Sequence, residues 1–136
     1  LRLDRAKYIE YGGRIMTVQE CYEMIGADWQ DVLQRFGGSQ AIVKKFAIKF
    51  LDDPSFSDMK KAVAEKNVED AFRAAHTLKG VCLNLGFSDL YHTSYDITEI
   101  FRAGTFEGAE ELMEAMDDQY QTIQDAVTRL MQEDAE

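Results

Sequence analysis

With 136 residues, 46 % of them hydrophobic, the chain has material for one domain with an ordinary core and little more. Its net charge of −10 argues against nucleic acid and anionic membrane surfaces as partners, and no apolar run approaches the roughly 20 residues needed to cross a bilayer. The charge is uneven: residues 106–136 carry ten acidic side chains and one Arg, whereas residues 60–80 carry five Lys or Arg against three acids, a basic island that suits a phosphate.

Residues 1–16 show no clear periodicity, are broken by Gly12-Gly13 and are charged throughout, unlike a secretory signal. They are expected to form an N-terminal extension, disordered or left over from expression, with the domain itself spanning residues 17–132. From Thr17 onward the signals are helical, and the single proline, Pro54, fits a helical chain. Thr17-Val-Gln-Glu20 reads as a capping box. Asp28 can cap a short helix through Trp29, Leu33 and Phe36, ending at Gly37-Gly38. Ser39 can cap a third, with Ile42, Val43, Phe46 and Phe50 on one face, stopped by Asp53-Pro54. Ser55 opens a short helix through Met59 and Val63. Asn67 can cap the next, with Ala71, Ala74, Ala75, Leu78, Cys82 and Leu85 at helical spacing and Gly86 as its C-terminal cap. Ser88 opens another, with Leu90, Ile97 and Phe101 inward, closing at Gly104. The last runs from about Gly108 to Met131, its stripe of Leu112, Met113, Met116, Tyr120, Ile123, Val127 and Leu130 recurring every three or four residues.

No segment alternates apolar and polar residues for long enough to make a strand, and the loops are short, so neighbouring helices should run antiparallel. The expected fold is all-α: an antiparallel up-and-down four-helix bundle with short additional N-terminal helices. Cys21 and Cys82 stand in apolar surroundings at unrelated spacing. That pattern reads as buried free thiols in a reducing compartment, with no metal site, and the protein is expected to be cytoplasmic.

The chemistry-bearing stretch is His76-Thr77-Leu78-Lys79-Gly80. On a helix whose Leu78, Cys82 and Leu85 face the core, His76 turns toward solvent, with Lys79 and Gly80 beside it at i+3 and i+4. Imidazole is substantially neutral, and so nucleophilic, at pH 7. Its phosphoramidate is reactive enough to pass a phosphoryl group onward. An ammonium one turn away can offset phosphoryl charge, and a glycine at i+4 leaves room for an incoming active site. Mid-helix glycine costs roughly 1 kcal/mol relative to alanine, so its presence asks for a reason. Taken singly, the residues have plainer accounts: an incidental histidine, a solvated lysine, a glycine that lets helices pack closely.

The set His76-x-x-Lys79-Gly80 followed by Leu85-Gly86 resembles the signature of histidine-containing phosphotransfer (HPt) domains. Trp29-x-x-x-Leu33-x-Arg35-Phe36-Gly37-Gly38, Phe46-x-x-x-Phe50 and Arg102-x-Gly104 are similar to further stretches of that family, and the resemblance spans about residues 17–131. It implies a four-helix bundle with the phosphoacceptor His76 exposed midway along one helix, Lys79 as the phosphate partner and Gly80 as the access position. Many such domains place Gln or Glu on the facing helix to orient the imidazole; the matching residue here is Thr98, whose hydroxyl reaches less far, with Glu99 or a water as the substitute. Arg102 and Arg73 are expected to flank the site. Phe72, Leu83 and Phe87 either form an apolar docking rim for a partner or belong to the core. His92 has no Lys-Gly companion and is expected at the surface or in helix packing, and the methionines of the last helix in the core.

The resemblance further implies a phosphorelay intermediate, not an enzyme with its own kinase or ATPase activity. The phosphoryl group would move between receiver-domain aspartates of a hybrid sensor kinase and a response regulator. Consistently, the sequence has no G-x-x-x-x-G-K-[ST] loop. No cofactor is expected in this chain, Mg²⁺ being supplied at the partner receiver domain, and the protein is expected to be a monomer. The alternative is an HPt-like interaction module that binds a receiver or kinase without being phosphorylated. A helical metal bundle would need inward Glu-x-x-His pairs, and no Glu-x-x-His occurs.

Overall fold

The computed structural model describes residues 16–135. The expected extension lies outside the described residues except for Met16, which is buried in the core. Helix α1 (Val18–Ile25) opens with the reciprocal cap: Glu20 donates its N–H to Thr17 Oγ1 at 3.1 Å, and Thr17 donates its own to the Glu20 carboxylate at 2.9 Å. Asp28, Ser39 and Asn67 cap α2 (Trp29–Arg35), α3 (Gln40–Lys49) and α5 (Val68–Leu85), each accepting the N–H three residues on. Each such cap stabilises its helix by about 1 kcal/mol. A 3-10 turn at Phe50–Asp52 leads α3 into the Asp53-Pro54 break, after which α4 (Ser55–Ala64) begins with the Ser55 N–H donating to the Asp53 carboxylate at 2.9 Å. Helix α6 (Ser88–Arg102) starts at the expected serine, but no side chain caps it.

Helix α7 (Ala109–Ala135) runs past the expected end at Met131. Its 27 residues make a rod of about 40 Å. Met116 lies in the core, whereas Met131, expected there, is 39 % exposed.

Helix α4 packs along α5, α5 along α6, and α6 along α7. The connections are residues 65–67, 86–87 and 103–108, too short for anything but reversal at each step. Side chains close the ring from α4 to α7: Phe56 meets Tyr120 at 4.5 Å between ring centroids, and the Lys60 ammonium lies 2.8 Å from the Asp117 carboxylate. The bundle is therefore an antiparallel four-helix array, with α1 and α3 against α7 and α2 and α3 against α5. Leu78, Cys82, Leu90, Ile97, Met116, Ile123, Val127 and Leu130 fill its interior. Both cysteines are buried and free; burial pushes the Cys21 thiol up to about 12 and raises Cys82 as well.

Gly86 holds the α5–α6 junction. Its φ of 75° is left-handed, and a Cβ there would lie 2.0 Å from Val32 Cγ2. Backbone conformation and the close crossing of α2 both demand glycine. Arg35 reinforces that crossing by donating from its guanidinium to the Leu83 carbonyl while pairing with Asp31 at 2.8 Å.

Candidate functional site

Ala75, Leu78, Cys82 and Leu85 turn one face of α5 into the core, which leaves His76 exposed on the opposite side. Its ring lies nearly parallel to Phe72, one turn earlier, with centroids 5.8 Å apart and planes 16° apart. Among the described residues the imidazole nitrogens have no hydrogen-bond partner. The Arg102 guanidinium sits 4.8 Å from the Phe72 ring centroid, its Nε held 3.1 Å from the Glu99 carboxylate. Lys79, half-buried one turn after His76, extends its ammonium over the Tyr95 ring at 5.1 Å. At Gly80 an added Cβ would meet nothing within 4 Å. That glycine is required neither by a close helix crossing nor by a positive φ.

The pairs Phe72–Arg102 and Lys79–Tyr95 fix the register of α5 against α6: seven residues forward on one helix match seven back on the other. Thr98 therefore stands level with His76. It is fully buried, however, and its hydroxyl donates to the Ser94 carbonyl at 2.6 Å within its own helix. Such back-bonding satisfies the hydroxyl locally. The site thus presents an exposed imidazole, an ammonium one turn away, and at Gly80 a helix position with no side chain. Among the described residues no group of three or more His, Cys, Asp or Glu is placed to hold a metal ion.

A family model for the Hpt domain matches residues 53–130, more than half of the chain. The chain belongs to the Hpt domain family. No curated protein and no solved structure matches it. Hpt domains are phosphocarrier modules, not kinases, acting in histidine phosphotransfer in two-component signalling and interacting with receiver domains. The match covers α4 to α7; the Trp29–Gly38 and Phe46–Phe50 stretches lie upstream of it. No helix of the described residues is long and apolar enough to cross a membrane.

The Hpt bundle brings His76, Lys79, Gly80, Phe72 and Arg102 together on one α5–α6 face. It does not bring all the expected residues there. Phe87 is a correction to the expected rim: it is fully buried, packed on Tyr22 at 5.7 Å and on Phe50 at 5.0 Å, because the turn at Gly86 points the next residue inward. Leu83 is exposed on the last turn of α5, two turns beyond His76 on the same side of the helix. Arg73 pairs with Asp70 at 3.2 Å and Glu69 at 3.8 Å, which draws it toward the start of α5. Glu99 is engaged by Arg102, and exposed His92 packs edge-on to Tyr91 at 5.2 Å. Reading the sequence missed Tyr95. Its signal was available: an aromatic three residues before Thr98 shares the face of α6 that meets α5.

Proposed function

We propose that His76 is the phosphoacceptor of a phosphorelay, carrying a phosphoryl group between receiver-domain aspartates of a hybrid sensor kinase and a response regulator. The observation that carries this reading is the pairing of an exposed His76 with a mid-helix Gly80 that has no packing role. In the first step the lone pair of the unprotonated imidazole nitrogen attacks phosphorus. A P–N bond forms as the P–O bond to the aspartate breaks, the carboxylate leaves, and the imidazole proton stays on the other nitrogen until solvent takes it. The second step reverses these changes onto the next aspartate. Lys79 faces the developing charge on the phosphoryl oxygens, moving off the Tyr95 ring to do so. Mg²⁺ belongs to the receiver, and the chain works as a monomer in the cytoplasm, where buried thiols stay reduced.

One observation favours the second reading, an unphosphorylated module: the Thr98 hydroxyl donates to Ser94 and makes no hydrogen bond to the imidazole. Incubation with a phosphorylated receiver domain decides. Labelling that is acid-labile, stable to base and lost in His76→Gln supports transfer. An unlabelled wild type, or labelling that persists in His76→Gln, overturns it.

A further inference from the structure

We infer that an aromatic stack, in place of a hydrogen bond from the facing helix, positions the imidazole: Phe72 is the positioning residue for His76, and Arg102 clamps Phe72. This rests on the reading of His76 as phosphoacceptor.

An imidazole that attacks in line must be held in one orientation. The level position on α6 is Thr98, which is buried and bonded to Ser94, and Glu99 is taken by Arg102. The ring contact of His76 is Phe72, at 5.8 Å and 16°, inside the range of offset-stacked pairs. The i−4 spacing on one helix fixes the position of Phe72 beneath the imidazole. Phe72 is itself half-buried against the core, and Arg102 covers it from α6 at 4.8 Å, within reach of a cation–π contact. Glu99 anchors the guanidinium at 3.1 Å. The series Glu99–Arg102–Phe72–His76 thus runs from one helix to the other and ends on the nucleophile. It fixes the plane of the ring and leaves both ring nitrogens open, which suits a group that must accept from one partner and donate to another.

The test separates orientation from docking. Transfer from a receiver domain charged with acetyl phosphate is measured against receiver concentration for wild type, Phe72→Leu, Phe72→Trp and Arg102→Gln. A stacked ring that positions the nucleophile predicts that Phe72→Leu lowers the saturating rate by between about two- and ten-fold. The half-saturating concentration should stay as in wild type, and Phe72→Trp should restore most of the rate. Arg102→Gln should lower the rate in the wild-type background and add nothing to Phe72→Leu. In the ¹H NMR spectrum, nuclear Overhauser contacts between the Phe72 and His76 rings, with ring-current shifts of the imidazole protons, should vanish in Phe72→Leu and return with Trp. A wild-type saturating rate in Phe72→Leu with a raised half-saturating concentration overturns the inference and makes Phe72 a docking residue. An Arg102→Gln effect that persists in the Phe72→Leu background overturns the clamp. Wild-type protein that takes no label on His76 defeats the phosphoacceptor reading instead, and the NMR contacts then report on the stack alone.

Discussion

The Lys79 ammonium rests over the ring of Tyr95, 5.1 Å from its centroid, on the helix that faces it. The contact parks a cation beside His76 without neutralising it, since an aromatic face carries no net charge. On the proposed reading, Lys79→Ala slows phosphotransfer about ten-fold or more, the size expected if a charge-assisted contact of about 1.5–3 kcal/mol strengthens in the transition state. The circular dichroism spectrum should stay helical. A wild-type rate in this variant would reduce Lys79 to a solvated surface residue.

Gly80 separates function from stability. Because an added Cβ meets nothing within 4 Å, Gly80→Ala should raise the melting temperature, by the equivalent of about 0.4–1 kcal/mol. Gly80→Gln should fold at least as well as wild type and yet transfer poorly, its side chain filling the space a receiver aspartate needs. Melting curves and initial rates for both variants check this; a fast Gln variant would defeat the access role.

Gly86 should respond in the opposite sense. With φ at 75° and Val32 Cγ2 at 2.0 Å from the position of a Cβ, Gly86→Ala should destabilise by about 2–4 kcal/mol, combining left-handed strain with overpacking. Val32→Ala in the same chain should recover part of that loss, and urea unfolding of the single and double variants measures the coupling.

Asn67→Ala removes the oxygen that accepts the Asp70 N–H at 3.0 Å. The bundle should lose about 1 kcal/mol. The transfer rate at 25 °C should match wild type, because the cap lies more than two turns from His76. A lowered rate would mean that the start of α5 is coupled to the site.

Alkaline pH should unfold the protein early. Burial raises the Cys21 thiol from 9.0 to about 12 and raises Cys82 and Tyr22 too. Below pH 9 the thiols hold their protons in both states, and stability is unaffected. Above it the unfolded chain ionises first, so stability falls as pH rises from about 9 toward 12. Melting temperatures across that range test the sign, and alanine at either cysteine should flatten the decline.

The helix boundaries were legible because their signals are local: Thr17, Asp28, Ser39, Asn67 and Gly86 each act within one turn of their own position. The shared face of His76, Lys79 and Gly80 was legible from helical spacing alone. Phe87 was not. A residue just after a helix cap has no periodicity to place it, and its burial follows from packing on Tyr22 and Phe50, which lie far away in sequence. The Tyr95 partner of Lys79 was hidden for a related reason: it depends on the register between two helices, and a single chain pattern does not encode that offset.

The open strip beside Gly80 also constrains kinetics. His76 is reached from one side of α5, so a donor and an acceptor receiver cannot both sit over it. On the proposed reading the carrier must release one before it meets the other, and no ternary complex forms. Double-reciprocal plots for complete relay turnover should then be parallel, in the ping-pong manner, and an excess of uncharged receiver should slow the relay by occupying the only doorway.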